Sequence, residues 1–342
     1  MLQVNAADGW HKISYNGKTG YIKTNYLKLA VKANDTQLTS LTISAGTMAP
    51  QFSPEESGYM VTTTAGSVTV NVTANKGVVV KMNDKETKSY RVDIPDGGMK
   101  SVRIAVGNNI AYTVYVMRNV VTIGTWNIKR GNGRLLEQGR LIRDQMPDLM
   151  GLQEVYVRET GSNITNNLLS LKTKHMSYTR FCKTMNSGSS QYGHGILSAY
   201  KILTSNVYKL SSPGVEQRYL SKTEVNISGK RVSFYNTHLS YESAAIRSTQ
   251  FKEIAAIMKQ DKNKYKILVG DFNADYVEFA QLGSYRVVNT PDTKYYDYSK
   301  REISLNEIDN IVLTKNIKVV NTRIVRTNIS DHSPVFAYIV LK

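Results

Sequence analysis

Residues 328–341 read NISDHSPVFAYIVL. An aspartate and a histidine stand side by side, closed off by Ser333 and Pro334, ahead of a β-branched and aromatic run. The run VFAYIVL has the composition of a buried strand. Asp331 and His332 therefore sit at the mouth of a strand, and strand ends are where α/β folds build their sites. The chain has only five histidines in 342 residues, so one placed directly beside an acid directs attention to similar junctions elsewhere.

Six further stretches share the pattern of a polar residue at or next to the end of an apolar run. In order they are TWNI with Asn127, LQEV with Glu154, YGHGILS with His194, YNTHLS with Asn236 and His238, GDFNA with Asp271 and Asn273, and EIDNIV with Asp309. Taken singly, each has a bland reading. GDFNA is also a turn sequence, because Asp and Asn bond their own backbone. Glu154 is also a solvated strand end, and His238 and His332 are also structural histidines. Asp271 and Asn273 are two apart, so in an extended segment both side chains share one face. A carboxylate leaving an apolar strand is what a hard divalent cation requires. No cysteine cluster or close histidine pair offers a zinc site, and neither a GxSxG elbow nor a Walker-type phosphate loop occurs.

Outward from these motifs, VVTIGTWNI, PDLMGLQEV and YKILVGDF read as strands. GRLLEQGRLIRDQM carries Leu135, Leu136, Leu141 and Ile142 as an approximate helical stripe. IRSTQFKEIAAIMKQ carries Ile246, Phe251, Ile254 and Met258 at helical spacing. Strands and helices alternate, so residues 119–342 read as α/β. Residues 31–118 are rich in Thr, Val and Ser with regularly spaced turn residues, the pattern of an all-β sandwich. Within them Asp84, Glu86, Asp93 and Asp96 are either calcium ligands or a solvated turn face. Residues 1–30 contain a hairpin pattern around NGKTG.

Composition sets outer limits. The formal net charge is +17, and residues 119–342 hold 31 Lys and Arg against 19 Asp and Glu. That balance favours nucleic acid, anionic lipid headgroups or an anionic cell wall as partners. One cysteine, Cys182, excludes an intrachain disulfide scaffold. No run of 18 apolar residues predicts a membrane span. MLQVNAADGW lacks the form of an export signal, which is expected upstream of Met1 if the protein is exported.

The ordered set TWNI, QE, YGHGILS, NTHL, GDFNA, IDNIV and SDHSPV resembles the endonuclease/exonuclease/phosphatase superfamily over all of residues 119–342. The resemblance implies a four-layered α/β/β/α sandwich and magnesium-dependent hydrolysis of a phosphoester, with Mn2+ or Ca2+ as substitutes. It implies Glu154 as principal metal ligand with Asn127 and Asp331 nearby. Asp271 and Asn273 would position the attacking water and the phosphate, and His238 would contact the phosphate or leaving group. His332, oriented by Asp309, would stabilise charge on the phosphorane or shuttle a proton. His194, Arg218 and Asn236 are candidates for the substrate phosphate, with loop packing as the alternative for His194. Arg247 is a further phosphate candidate, with the favoured reading a helix-start residue tied to neighbouring loops.

The chain departs from deoxyribonuclease I-like relatives in one respect: no Asp or Glu lies between Glu159 and Glu216. The glutamate those enzymes use to partner the first histidine is therefore missing for His238. Residues 31–118 resemble cadherin-like modules of bacterial surface proteins, and residues 1–30 resemble part of a bacterial Src-homology-3-like domain, so an extracellular or wall-associated monomer is expected. The leading reading is a nuclease. The alternatives are a sphingomyelinase-like, phosphoinositide or small-molecule phosphoesterase, for which KYYDYSK (294–300) is the tempting aromatic cluster, and a non-enzymatic adhesin.

Overall fold

The computed structural model describes residues 10–15, 18–23, 37–107, 110–160, 163–188, 190–290, 295–297, 302–304 and 308–342. Trp10–Tyr15 and Lys18–Lys23 pair antiparallel, the hairpin expected around NGKTG. The rest of the expected 1–30 module and most of KYYDYSK lie outside the described residues.

Residues 38–118 form two antiparallel-rich sheets. Leu38–Ile43, Ser67–Ala74 and Ser89–Asp93 make a three-stranded sheet, and the larger sheet has six strands, with Ile110–Arg118 and Met99–Val106 at its centre. Val68, Val70 and Val72 alternate inward along Ser67–Ala74, as a half-buried strand requires. They meet Tyr59, Val61, Ile104 and Val114 in a continuous core. Asp84, Glu86, Asp93 and Asp96 are exposed, Asp93 pairs with Arg91 at 3.1 Å, and Asp96 accepts from Asn119 at 2.6 Å.

The last sandwich strand ends at Arg118 and the next fold begins at Val121. Two further sheets lie face to face. The first runs Tyr178–Ser187, Ser190–Ser198, Leu149–Thr160, Val121–Asn127, Val335–Leu341, Ile317–Ile324. The second runs Ile202–Lys209, Tyr219–Ile227, Lys230–His238, Tyr265–Asp271, Asp309–Leu313, Arg286–Val287. Each contains one parallel pair bridged by a helix. Helix α1 (Leu135–Gln145) links Val121–Asn127 to Leu149–Thr160, and helix α3 (Ala244–Gln260) links Lys230–His238 to Tyr265–Asp271; the short helix α2 (Asn167–Leu171) lies beside α1. Both crossovers leave the C-terminal ends of their strands at one edge of the sandwich, and the site forms there.

Three cores make the layers. Between the sheets lie Ile123, Leu149, Phe234, Ile267, Val269, Ile311 and Ile339. Outside the second sheet, Phe251, Ile254 and Met258 of α3 pack on Tyr235, Leu268 and Phe272. Outside the first sheet, Ile142 and Leu171 pack on Trp126, Met150, Leu152 and Phe336. Fully burying one such side chain stabilises by about 1.5–3 kcal/mol. The strand Val335–Leu341 shows the arrangement in miniature. Val335, Ala337 and Ile339 face the inter-sheet core, Phe336 faces the helices, and Tyr338 packs with Met60 and Met117 of the N-terminal sandwich. Lys318 Nζ donates to Gly97 O at 2.8 Å across the same junction.

The expected α1 stripe is rotated. Its buried residues are Gln138, Gly139, Ile142 and Gln145, while Leu136 is 83% exposed. Gln138 turns this face inward, because its amide donates to Ile128 O at 2.9 Å and Ile329 O at 3.2 Å beneath the site loops. The α3 stripe holds at Phe251, Ile254 and Met258 and gains Gln250, with Ile246 only half-buried.

The sheets also touch through a buried polar contact, Gln153 Nε2 to Asn236 Oδ1 at 2.7 Å. Gly151 makes room for it: a Cβ there would stand 2.4 Å from Val269 Cγ2 and 2.9 Å from Asn236 Cγ. Gly151→Ala is expected to destabilise by about 1–3 kcal/mol through overpacking, read as a lower urea midpoint. An unchanged midpoint would show that the sheets separate freely at this point.

Candidate active site

The site is centred on one carboxylate oxygen. Asp271 ends its strand and is 1% exposed. Its Oδ2 accepts from Asn127 Nδ2 at 3.0 Å and lies 3.5 Å from His238 Nε2 and 3.6 Å from His332 Nε2. Register explains the convergence. His238 and Asp271 are partners across the parallel pair, and Asp271 and Asp309 are partners across the next antiparallel pair. Asn127 ends the central strand of the facing sheet.

Glu154 reaches the same place by a backbone irregularity. The pairing of Leu149–Thr160 with Ser190–Ser198 slips between Leu152 and Val155, and Glu154 has φ +56°. A bulge inserts an extra residue and re-aims a side chain. A non-glycine residue held in the left-handed region costs on the order of 1–3 kcal/mol and marks functional sites. Gln153 stays in the core, donating also to Thr125 Oγ1 at 3.1 Å, while Glu154 Oε1 accepts from Asn127 Nδ2 at 3.1 Å. One amide nitrogen therefore joins Glu154 to Asp271.

The sequence places Asn273 in an extended segment with Asp271; the structure does not. The strand stops at Asp271, and Asn273 has φ +49°. Asn273 N donates to Asp271 Oδ1 at 3.0 Å, and its amide donates to Leu239 O at 3.0 Å. GDFNA is thus a turn in which the side chain of Asp271 bonds the backbone, and Asn273 ties the two site loops together.

Asp331 and His332 separate as a turn allows. His332 Nδ1 lies 2.6 Å from Asp309 Oδ2, so each ring nitrogen faces a carboxylate. Asp331 pairs with Lys129 Nζ at 2.8 Å, an ammonium that also lies within reach of Glu154. Burial works against the charge on Asp331, but the Lys129 ammonium and His332 hold its carboxyl below the usual range. The segment is fixed by Trp126 Nε1 donating to His332 O at 2.9 Å and Ser330 Oγ donating to Asn127 O at 2.7 Å.

The remaining candidates divide. Asn236 is fully buried, donates to Leu152 O at 3.0 Å and Gly195 O at 2.9 Å, and accepts from Gln153. Its whole amide is committed to joining the sheets, so the expected phosphate contact is not available to it. His194 is mid-strand and 3% exposed, and burial followed by the Arg218 charge pushes its imidazole down to about 3. That environment suits packing beneath the site. Arg218 is also buried and pairs with Glu216 at 3.0 Å. Arg247 bonds Glu278 through Nε and Nη2, at 3.0 and 2.8 Å, as a loop anchor should. Glu216 and Ser330 escaped the sequence reading. The acid–x–Arg spacing in EQR was the only signal for Glu216.

The titrating groups are pushed apart. Burial raises Asp271 to about 6, opposed by His332 and reinforced by Asp309. Burial opposes the charge on His332, yet Asp309, Asp271 and Asp331 together raise it to about 10. Burial, then Arg218 and the two other histidines, drive His238 well below its ordinary value. His332 is thus the imidazolium of the site and His238 the neutral imidazole.

Among the described residues, donor atoms of Asp271, Asp309 and His332 lie within 4.8 Å of one another. A ligating histidine must be neutral, so this trio reads better as a charged histidine between two acids than as a cage. The oxygen-rich side, Glu154 and Asp271 about Asn127, suits a hard divalent cation. A buried carboxylate raised to about 6 is also one that a neighbouring cation would return to its charged form.

Residues 124–332 match the family model described as Endonuclease/Exonuclease/phosphatase family. The chain belongs to that family, whose members hydrolyse phosphoesters. Among solved structures, an endonuclease/exonuclease/phosphatase from Beutenbergia cavernae DSM 12333 is similar at TM-score 0.56 and 20% identity, covering 66% of this chain and 72% of that one. A family member from Bacteroides vulgatus gives 0.53 at 18% identity, covering 66% and 100%. D. rerio TDP2 complexed with a single-strand DNA product gives 0.51 at 19%, covering 65% and 99%. No curated protein matches the chain.

Because the folded value of His332 is raised above its unfolded value of about 6.5, its pairing with Asp309 stabilises fully below about pH 6.5 and is lost as pH rises through about 10. The urea-midpoint gap between wild type and Asp309→Asn is therefore expected to persist through neutral pH and close toward about pH 10. A gap that widens with rising pH contradicts the assignment.

Proposed function

We propose that this chain is an exported, divalent-metal-dependent phosphodiesterase that hydrolyses DNA. The observation that carries the catalytic part is the convergence of Asn127, His238 and His332 on Asp271, with Asp309 behind His332. Glu154 and Asn127 would hold the cation, which supplies neutralisation of the phosphate charge. Asp271 draws a proton from the attacking water, whose oxygen bonds to phosphorus. His332, kept protonated by Asp309, donates a hydrogen bond to the charge that builds on the phosphoryl oxygens. His238 stays neutral and donates or accepts a hydrogen bond at the phosphate or the departing oxygen. The scissile P–O electrons leave with that oxygen.

DNA is favoured by the +17 charge of the chain and by the fold shared with TDP2, which was captured with a single-strand DNA product. Export is supported by the resemblance of residues 31–118 to cadherin-like modules of bacterial surface proteins. Another neighbour at TM-score 0.50 is a mannosyl-6-phosphatase from Bacteroides thetaiotaomicron, so phosphomonoesters belong in the substrate panel.

Supercoiled plasmid with Mg2+ or Mn2+ tests the reading. Nicking is expected, is abolished by chelator, and falls on the order of a hundred- to ten-thousandfold in His332→Ala. Intact plasmid with release of phosphocholine from sphingomyelin, or of phosphate from sugar phosphates alone, would replace DNA as the substrate. No turnover on any phosphoester would leave the adhesin reading.

A further inference from the structure

The loops that leave the two paired strands of the second sheet carry exposed rings. Tyr241 lies three residues beyond His238 and Tyr276 five beyond Asp271. They are 68% and 39% exposed, and the adjacent Val277 is 77% exposed. Arg247 bonds Tyr241 O and pairs with Glu278, so these exposed side chains stand on two loops tied to each other.

These loops are held firmly. Arg247 donates to Ser240 O at 3.2 Å and Tyr241 O at 3.5 Å, and its bidentate pair with Glu278 is largely buried. Glu278 also closes the capping box with Asp275 that starts the turn bearing Tyr276. Leu239 N donates to Asp271 O at 3.0 Å, and Asn273 bonds Leu239 O. Ser248 Oγ donates to Gln281 Oε1 at 2.6 Å. Rings presented on such a scaffold lose little freedom when a ligand covers them.

The loop that follows Asn127 on the facing sheet is basic. Lys129 and Arg130 follow Asn127 on the first sheet, with side chains 47% and 60% exposed, and both turn back to site acids, Asp331 and Glu154. A strand laid over the loops of both sheets would therefore meet the Lys129 and Arg130 side chains on the first sheet and the two tyrosines on the second. Cations that track a backbone, combined with rings that stack bases, make up a single-stranded nucleic acid platform.

We propose that Tyr241 and Tyr276 form a stacking platform for bases next to the scissile phosphate of a single-stranded nucleic acid, with Lys129 and Arg130 on the facing sheet. The platform rests on the phosphodiesterase reading for its orientation but is tested apart from it. Binding of fluorescein-labelled oligothymidylate is measured by anisotropy in chelator, where no hydrolysis occurs. Tyr241→Ala and Tyr276→Ala are each expected to weaken binding on the order of tenfold or more. Tyr241→Phe and Tyr276→Phe keep wild-type affinity, because stacking needs the ring and not the hydroxyl.

Wild-type affinity in both alanine variants overturns the proposal, as does equal weakening in the phenylalanine variants. It is also overturned if oligothymidylate binding is untouched while the alanine variants stop sedimenting with sphingomyelin-containing vesicles, which would make the patch a lipid contact. Tyrosine-dependent binding in a protein that fails to nick plasmid supports the platform and refutes the catalytic reading alone.

Discussion

The structure depends on holding a charge where water does not reach it. Asp271 is 1% exposed and faces a second acid, Asp309, across its strand pair. An isolated buried carboxylate gives up its charge. Here the cost is offset by Asn127 from the facing sheet, by the backbone N–H of Asn273, and by the imidazolium of His332. Each comes from a different segment, so the carboxylate is tolerable only when two sheets, a turn and the C-terminal strand entry are all in place. Removing any single partner leaves the others around an under-compensated charge, which is why catalytic substitutions here should also affect stability.

The spacing of the two sheets is then the constraint behind the site. Packed sheets stand about 10 Å apart, and Asn127 must reach Asp271 across that gap to within 3.0 Å. Gly151 and the Gln153–Asn236 contact bring the sheets together just inside the site. The bulge at Glu154 completes the arrangement by sending Gln153 into the core and Glu154 outward. A strict alternation would separate these two residues by face but would not lift Glu154 to the level of Asn127.

The electrostatics follow from the same burial. His332 and His238 both lie beside Asp271, yet they are driven in opposite directions: burial, with Arg218 nearby, keeps His238 uncharged, while Asp309 on the other nitrogen of His332 and Asp271 overcome the same burial. Two imidazoles in different states beside one acid give a site with a fixed donor of positive charge and a neutral partner, the division of labour that acid–base chemistry at neutral pH requires. The missing acid for His238, noticed in the sequence, is consistent with this outcome: Glu216 pairs with Arg218, and Asp271 is the acid near the ring.

Much of the site was legible in the residues alone. Apolar runs broken by Asn127, Glu154, His238, Asp271, Asp309 and His332 predicted strand ends, because a buried strand has a period and a composition that polar residues interrupt. What the sequence could not assign was the partner of each polar group. Asn236 has the same look as Asn127, but it lies inside the sandwich and is consumed by Gln153, Leu152 and Gly195, while Asn127 lies at its rim. Asp331 has the same look as Asp309, but the turn at residues 330–333 sends it to Lys129. Leu136 belongs to the apparent stripe of α1, yet Gln138 takes the inward face. Local pattern therefore determined that Asn127, His238, Asp271 and Asp309 stand at strand ends and that strands and helices alternate, while Glu154 and His194 lie within strands, Glu154 at a bulge. Only the tertiary structure decided which ends meet, since hydrogen-bond partners come from segments as far apart as Asn127 and Asp271, brought together by sheet register and inter-sheet packing that no local stretch encodes.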